Sequence, residues 1–192
     1  MNLDYLPETQ EGHMVPNEGT LDMWKSLHEK TNYTHLFEIG LNGGHSAAIN
    51  LELFPNVKVT SLDINKHKYA VTAANTLKEK FDERFDYIFC DSRAYAQRVY
   101  NGDYETPKDI DMVFIDGGHD FSCLLSDIAL SKFLNVKELF VDNTSSDFKS
   151  VTKALDSLER LNVLEPLEKY KYLGVHHKGA DTEEQLTHYR FI

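Results

Sequence analysis

The chain has only two cysteines in 192 residues, Cys90 and Cys123, and they form no CxxC pair. That excludes a disulfide framework and a thiolate metal knuckle; two buried free thiols in a reducing compartment are expected instead. Long apolar runs are missing as well, and none reaches the roughly 20 residues of a membrane-spanning helix. The stretch from Met1 to Tyr5 lacks the basic and apolar regions of a secretory signal. The expectation is a cytoplasmic protein with no membrane partner. Positive charge is scarce too: 20 Lys and Arg stand against 31 Asp and Glu, a net charge of −11. Nucleic acids and anionic membrane surfaces need basic patches, so both are disfavoured, whereas a cationic ligand is suited. No internal repeat or low-complexity tract is present. What remains, 41% hydrophobic and 27% charged residues, is an ordinary globular composition. The length suits one domain with a full core.

The most informative stretch is His35-Leu36-Phe37-Glu38-Ile39-Gly40-Leu41-Asn42-Gly43-Gly44-His45-Ser46. A short apolar run feeds a glycine-rich turn, and Ala47, Ala48, Ile49 and Leu51 then continue as a helix. Such a strand–turn–helix leaves free N–H groups at the helix start and lets a ligand approach the main chain, as nucleotide-like cofactors do. Glycines that serve only a tight turn are the alternative. A dinucleotide fingerprint wants Gly-x-Gly-x-x-Gly. Counting from Gly40, its second and third glycines are replaced by Asn42 and His45. Asn tolerates the left-handed backbone such a turn needs.

In chain order, residues 1–19 read as an irregular polar arm, from which His13 and Met14 are candidates to line a site. Thr20 is a candidate cap for a helix carrying Leu21, Trp24, Leu27 and His28 at helical spacing. Strands are expected over 34–39, 57–62, 85–90, 110–115 and 136–141. Helices are expected over 45–54, 66–80, 93–100, 121–133 and 147–161. Two further strands, about 163–175 and 184–192, read as an antiparallel hairpin at the sheet edge, joined by a polar loop from His176 to Asp181. The pattern predicts one α/β domain over 1–192: an arm (1–19), a core (20–162) and a terminal hairpin (163–192). The core would be a doubly wound, mostly parallel seven-stranded sheet. Ligands of such sheets sit beyond the carboxyl ends of the strands. Glu38, Asp63, Asp91, Asp116 and Asp142 all stand there, and helix capping alone does not explain five acids at five successive strand ends.

Asp63, a little over 20 residues beyond the glycine turn, is where a ribose diol finds its acceptor; a helix cap is the alternative. Asp116, Asp142 and Asn143 form a hard-oxygen set suited to Mg²⁺. A divalent ion there would lower the pKa of a substrate hydroxyl and align it. His119, three residues after Asp116, is a candidate general base, or else a hydrogen-bonding residue at the start of its helix. Asp120 reads as that helix's cap. His45 is left open between a cofactor's carboxylate end and a cap. His176 and His177 read as surface residues unless the hairpin closes the pocket.

Glu38-x-Gly40-x-Asn42-x-Gly44 resembles motif I of the class I S-adenosylmethionine (SAM) methyltransferases, with Asn42 where glycine is commonest. Asp116 and Asp142-Asn143 are similar to the site of metal-dependent, catechol-type O-methyltransferases. The run Ile115-Asp116-Gly117-Gly118-His119, with Phe121 and Asp127 after it, resembles the macrocin O-methyltransferase family, which modifies sugar hydroxyls. The resemblance covers about residues 18–145. It implies the Rossmann-like methyltransferase fold. It implies SAM held by Glu38, Gly40, Asn42, Gly44, Ser46, Asp63 and Asp116, with Asp91 and Ser92 at the adenine amine; a cap for the helix over 93–100 is the alternative for that pair. It implies Mg²⁺ on Asp116, Asp142 and Asn143, with His119 and Asp116 as catalytic residues. The pair Glu18-Gly19 resembles the segment that folds over the cofactor in such enzymes. In the family, Asn143 is often a second aspartate; Asn keeps an oxygen ligand but lowers the site charge.

The expected activity is methyl transfer from SAM to a hydroxyl of a small sugar-like or phenolic molecule. The alternatives are a metal-free methyltransferase and a SAM-binding regulatory protein that has lost catalysis. The missing glycines, and the lack of a Tyr-x-x-x-Lys set, oppose a nicotinamide oxidoreductase. Whether the chain forms a homodimer is left open.

Overall fold

The computed structural model describes residues 1–10, 12–176 and 180–192, and the side chains of 176, 180 and 181 lie outside the description. The core alternates strand and helix, as the sequence periodicity predicts. In order come β1 (His13–Met14), α1 (Glu18–Thr31), β2 (His35–Ile39), α2 (His45–Leu53), β3 (Lys58–Asp63), α3 (Lys68–Phe81) and β4 (Phe85–Phe89). Then follow α4 (Ser92–Tyr100), β5 (Met112–Ile115), α5 (Phe121–Phe133), β6 (Glu138–Val141), α6 (Lys149–Arg160), β7 (Leu164–His176) and β8 (Ala180–Phe191).

The strands form one sheet in the order β1-β7-β8-β6-β5-β2-β3-β4. From β6 to β4 every neighbouring pair is parallel. β8 then pairs antiparallel with β6, and β7 with β8. The chain winds outward from β2 in both directions, which puts the topological switch between β2 and β5. Apolar residues on both sheet faces explain the continuous hydrophobic runs of the parallel strands. One face packs Trp24, Leu27, Ile49 and Leu77 of α1–α3 against Leu36 and Phe114. The other packs Tyr95, Leu124, Ile128 and Leu155 of α4–α6 against Phe37 and Val113.

Two expectations need correction. The sheet has eight strands among the described residues rather than seven, because the arm is not irregular throughout. His13 and Met14 pair antiparallel with Val175 and Gly174, satisfying the outer edge of β7. Two residues are too few to show a periodicity, so nothing in the sequence marked them. The first helix starts two residues before Thr20: Asn17 is its cap, its Oδ1 accepting from the Thr20 N–H at 2.9 Å. The short polar side chain fits the extended cap backbone. Glu18 and Gly19 therefore lie in the first turn of α1 rather than in a loop.

Candidate functional site

The site is built at the switch point. Gly40 leaves β2 with φ +105°, and its N–H donates to the Leu62 carbonyl at 2.7 Å. A Cβ on Gly40 would stand 2.1 Å from the Asp116 carbonyl oxygen, so only glycine lets the two strand ends come together here. Asn42 (φ 50°) and Gly44 (φ 79°) continue the left-handed turn. The Asn42 amide donates to the Gly12 carbonyl at 2.6 Å, tying the turn to the arm. Glu38 is fully buried beneath this turn. It accepts from the hydroxyls of Ser46 and, at 2.6 Å, Ser61. Burial pushes its carboxyl up to about 8. Glu38 lines neither cavity described below, whereas Ser46, which donates to it, lines the smaller one.

Two adjoining cavities open at the carboxyl edge, sharing Gly12, Asn42, Asp116, Gly117 and His119 as walls. The larger, about 540 Å³, is lined by Gly40, Asp63, Asp91, Ser92 and Phe148 among others. Asp63 ends β3 and organises the turn. Its Oδ2 accepts from the N–H groups of Leu41 and Asn42 at 2.9 and 3.0 Å, and its Oδ1 from that of Asn65 at 2.6 Å. A carboxylate has about four acceptor positions, so one on Oδ1 remains for a ligand hydroxyl. Asp91 caps α4 and is held by Arg93, which keeps its carboxyl below the usual range. Ser92 faces inward, 3.8 Å from the Cys123 sulfur. Ile64, 59% exposed beside Asp63, offers an apolar wall.

The smaller cavity, about 160 Å³, is lined by Asp116, Asp142 and Asn143 from the strand ends and by His13 and Met14 from the arm. Tyr172 and Glu184 from the hairpin complete it. Asp142 is 4% exposed; its Oδ2 accepts from the Tyr172 hydroxyl at 2.5 Å, and its Oδ1 is buried without a partner. Burial first, and then the Asp116 charge, hold the Asp142 carboxyl well above the usual range. The Asp116 carboxyl is raised by the same enclosure and lowered again by His119, whose Nε2 lies 3.8 Å away. The Asn143 amide nitrogen donates to Glu184 at 3.2 Å, which turns its oxygen the other way. Among the described residues no group of three His, Cys, Asp or Glu stands in a metal-holding arrangement. The candidate set has only two such members, its third being an amide. Its donors nevertheless suit a hard cation, because Asp142 keeps an orphaned buried oxygen beside a second raised carboxyl.

His45, in the first turn of α2, stacks on His13 with ring centroids 4.1 Å apart, and burial pushes its imidazole down to about 4. The sequence placed Glu38, Asp63, Asp116, Asp142 and Asn143 at one edge but missed Tyr172, Glu184 and Ile64. Long-range register brings the first two in, and nothing local announces it. His177 lies outside the described residues, as does the side chain of His176. Among the described residues no helix is long and apolar enough to cross a membrane.

A mostly parallel α/β sheet with a glycine turn, an acid at the end of its second core strand and a double cavity at the switch point is an arrangement that nucleotide-type cofactors use. The chain belongs to the methyltransferase domain family, whose model matches residues 37–158. Solved structures agree in fold. An O-methyltransferase from Bacillus cereus in complex with SAH is 16% identical, over 92% of this chain and 83% of that one, with a TM-score of 0.66. The O-methyltransferase TomG from Streptomyces achromogenes, in complex with SAM, is 17% identical over 93% and 82%, with a TM-score of 0.63. A protein from Staphylococcus aureus described as a caffeoyl-CoA O-methyltransferase is 17% identical over 98% and 87%, with a TM-score of 0.59. A comparison with curated protein sequences finds no match.

Proposed function

We propose that the protein transfers the methyl group of SAM to a hydroxyl of a small hydroxylated molecule, assisted by a divalent ion such as Mg²⁺. The observation that carries this reading is the pair of cavities meeting at Asp116 and His119. One has the walls a nucleoside needs, and the other is a small acidic chamber with an orphaned carboxylate oxygen. Solved O-methyltransferases of this fold hold SAM or SAH. Bound SAM supplies an electrophilic methyl, and a divalent ion acidifies the acceptor hydroxyl. The protein does the rest. Asp63 takes a ribose hydroxyl, Ser92 faces the adenine, and the turn from Gly40 to Gly44, supported by Ser46, lies along the cofactor. Asp116, Asp142 and Asn143 would hold the ion. His119 lines both cavities and receives the hydroxyl proton, and the arm and hairpin exclude water from the chamber, so that the two reactants are held in attack geometry.

Calorimetric titration of SAM and of NAD, each with and without Mg²⁺, tests the reading. Micromolar SAM binding with no NAD binding is expected. NAD binding in preference to SAM would overturn it.

A further inference from the structure

Within the candidate metal set, the Asn143 amide is the member that can face two ways, because its oxygen and its nitrogen have nearly the same shape. The main chain fixes where it stands. Asn143 takes a left-handed backbone (φ 54°) at the end of β6. The next residue is clamped to β8: the Thr144 N–H donates to the Gln185 carbonyl at 2.9 Å, and the Gln185 amide donates back to the Thr144 carbonyl at 3.1 Å. The direction of the amide is fixed by a side chain that the proposed reaction does not use. Glu184, on β8, is buried, and its Oε2 accepts from Asn143 Nδ2 at 3.2 Å. Its Oε1 accepts from the Thr182 hydroxyl at 2.9 Å.

β7 leaves Glu184 the room it needs, since a Cβ on Gly174 would stand 2.9 Å from Glu184 Cγ. Directly across the hairpin from Glu184 stands Tyr172, whose hydroxyl donates to Asp142 Oδ2. One cross-strand pair therefore holds two successive residues at the end of β6: Tyr172 the carboxylate of Asp142, and Glu184 the amide of Asn143. Both members of the pair line the small cavity. A carboxylate only accepts, so it draws the amide nitrogen to itself. The carbonyl oxygen, which is the atom of an amide that ligates a hard cation, is left on the opposite side. Packing does not ask for an acid at 184, because an apolar side chain would avoid the cost of burying a carboxylate.

We infer that Glu184 is a positioning residue for the proposed metal site, orienting the Asn143 amide so that its carbonyl oxygen is left for the ion. The inference rests on the reading that Asp116, Asp142 and Asn143 hold a divalent ion. It makes the hairpin part of that site although the hairpin supplies none of the three donors. An amide free to turn over would present its nitrogen to the ion for part of the time. Hydrogen-bond partners that orient a metal's ligands typically change its affinity by about 10- to 100-fold.

The test titrates Mn²⁺ by calorimetry into protein saturated with S-adenosylhomocysteine, for the wild type and for three variants. Glu184→Gln keeps the side-chain length and a carbonyl for Asn143, while its nitrogen meets the Thr182 hydroxyl, which can accept as well as donate; it should bind Mn²⁺ within about threefold of the wild type. Glu184→Asp keeps the charge but is shorter by about 1.5 Å, one carbon–carbon bond. Glu184→Met keeps neither charge nor acceptor. Both should bind Mn²⁺ roughly tenfold more weakly or worse. S-adenosylhomocysteine affinity should stay within about threefold in all three, because Glu184 lines only the smaller cavity, and this shows that each variant is folded. If Glu184→Met does not fold, the comparison of Glu184→Gln with Glu184→Asp carries the test. Rescue by Glu184→Asp and not by Glu184→Gln would reduce Glu184 to a charge and overturns the inference. Unchanged Mn²⁺ affinity in all three, or an equal loss in all three, overturns it too. A wild type that binds S-adenosylhomocysteine but no Mn²⁺ brings down the metal reading itself, and the inference with it.

Discussion

The Tyr172 hydroxyl donates a 2.5 Å hydrogen bond to Oδ2 of Asp142, joining the middle of β7 to the end of β6 across the intervening β8. The bond fixes one carboxylate oxygen and leaves the other buried without a partner. Tyr172→Phe removes the donor without changing the shape. We expect turnover to fall by roughly 10- to 100-fold, matching the 1.5–3 kcal/mol of a hydrogen bond to a charged group. S-adenosylhomocysteine affinity should change little. Steady-state kinetics beside calorimetry checks this, and an unaltered kcat would remove Asp142 from the chemistry.

Asp63 does two jobs, so its variants separate them. Asp63→Ala should weaken SAM binding by about 1–3 kcal/mol. Asp63→Asn keeps one carbonyl oxygen but cannot accept at both, and should fall between Ala and wild type. If both variants match the wild type in titration, the ribose assignment is wrong.

Asp142→Ala should abolish metal-dependent turnover while leaving SAM affinity within about threefold, because Asp142 lines only the smaller cavity. A chelator should reduce wild-type turnover to the level of the variant. Equal wild-type activity with and without chelator would sink the metal assignment.

Glu38 gives a pH signature. Its native carboxyl is raised to about 8, whereas in the unfolded chain it titrates near the ordinary 4.5. Between those values the unfolded state loses the proton that the native state keeps. Stability therefore falls as pH rises from about 4.5 to 8 and then levels off. Gln is neutral and similar in shape, so Glu38→Gln should flatten this decline. Urea denaturation at pH 5 and pH 8 reads the difference, expected to be roughly 3–4 kcal/mol. Parallel declines in both proteins would show that Glu38 does not titrate in this window.

Gly40→Ala should cost the site rather than adjust it. Its φ of +105° and the 2.1 Å approach to the Asp116 carbonyl leave no room for a methyl group. Loss of SAM binding, with or without loss of folding, is the expected result; a variant that binds SAM normally would mean the strand ends can separate.

The sequence by itself determined the α/β class, the alternation of core strands and helices, and the acids at the carboxyl ends. These are local matters: apolar runs bounded by glycine and aspartate report burial and chain reversal within about ten residues. Even the left-handed turn at Asn42 was legible, because few residue types tolerate that backbone. Tertiary structure alone decided the eighth strand, which exists only because β7 offers an unpaired edge to His13 and Met14. It alone brought Tyr172 to Asp142 and Glu184 to Asn143, since strand register over 30 to 41 residues leaves no local trace. It also decided which acid faces what. Glu38, Asp63 and Asp91 look alike in sequence, yet one is sealed under the turn, one holds the turn together and one caps α4 and pairs with Arg93. Their separation comes from burial and hydrogen-bond geometry, which arise only once the sheet is assembled.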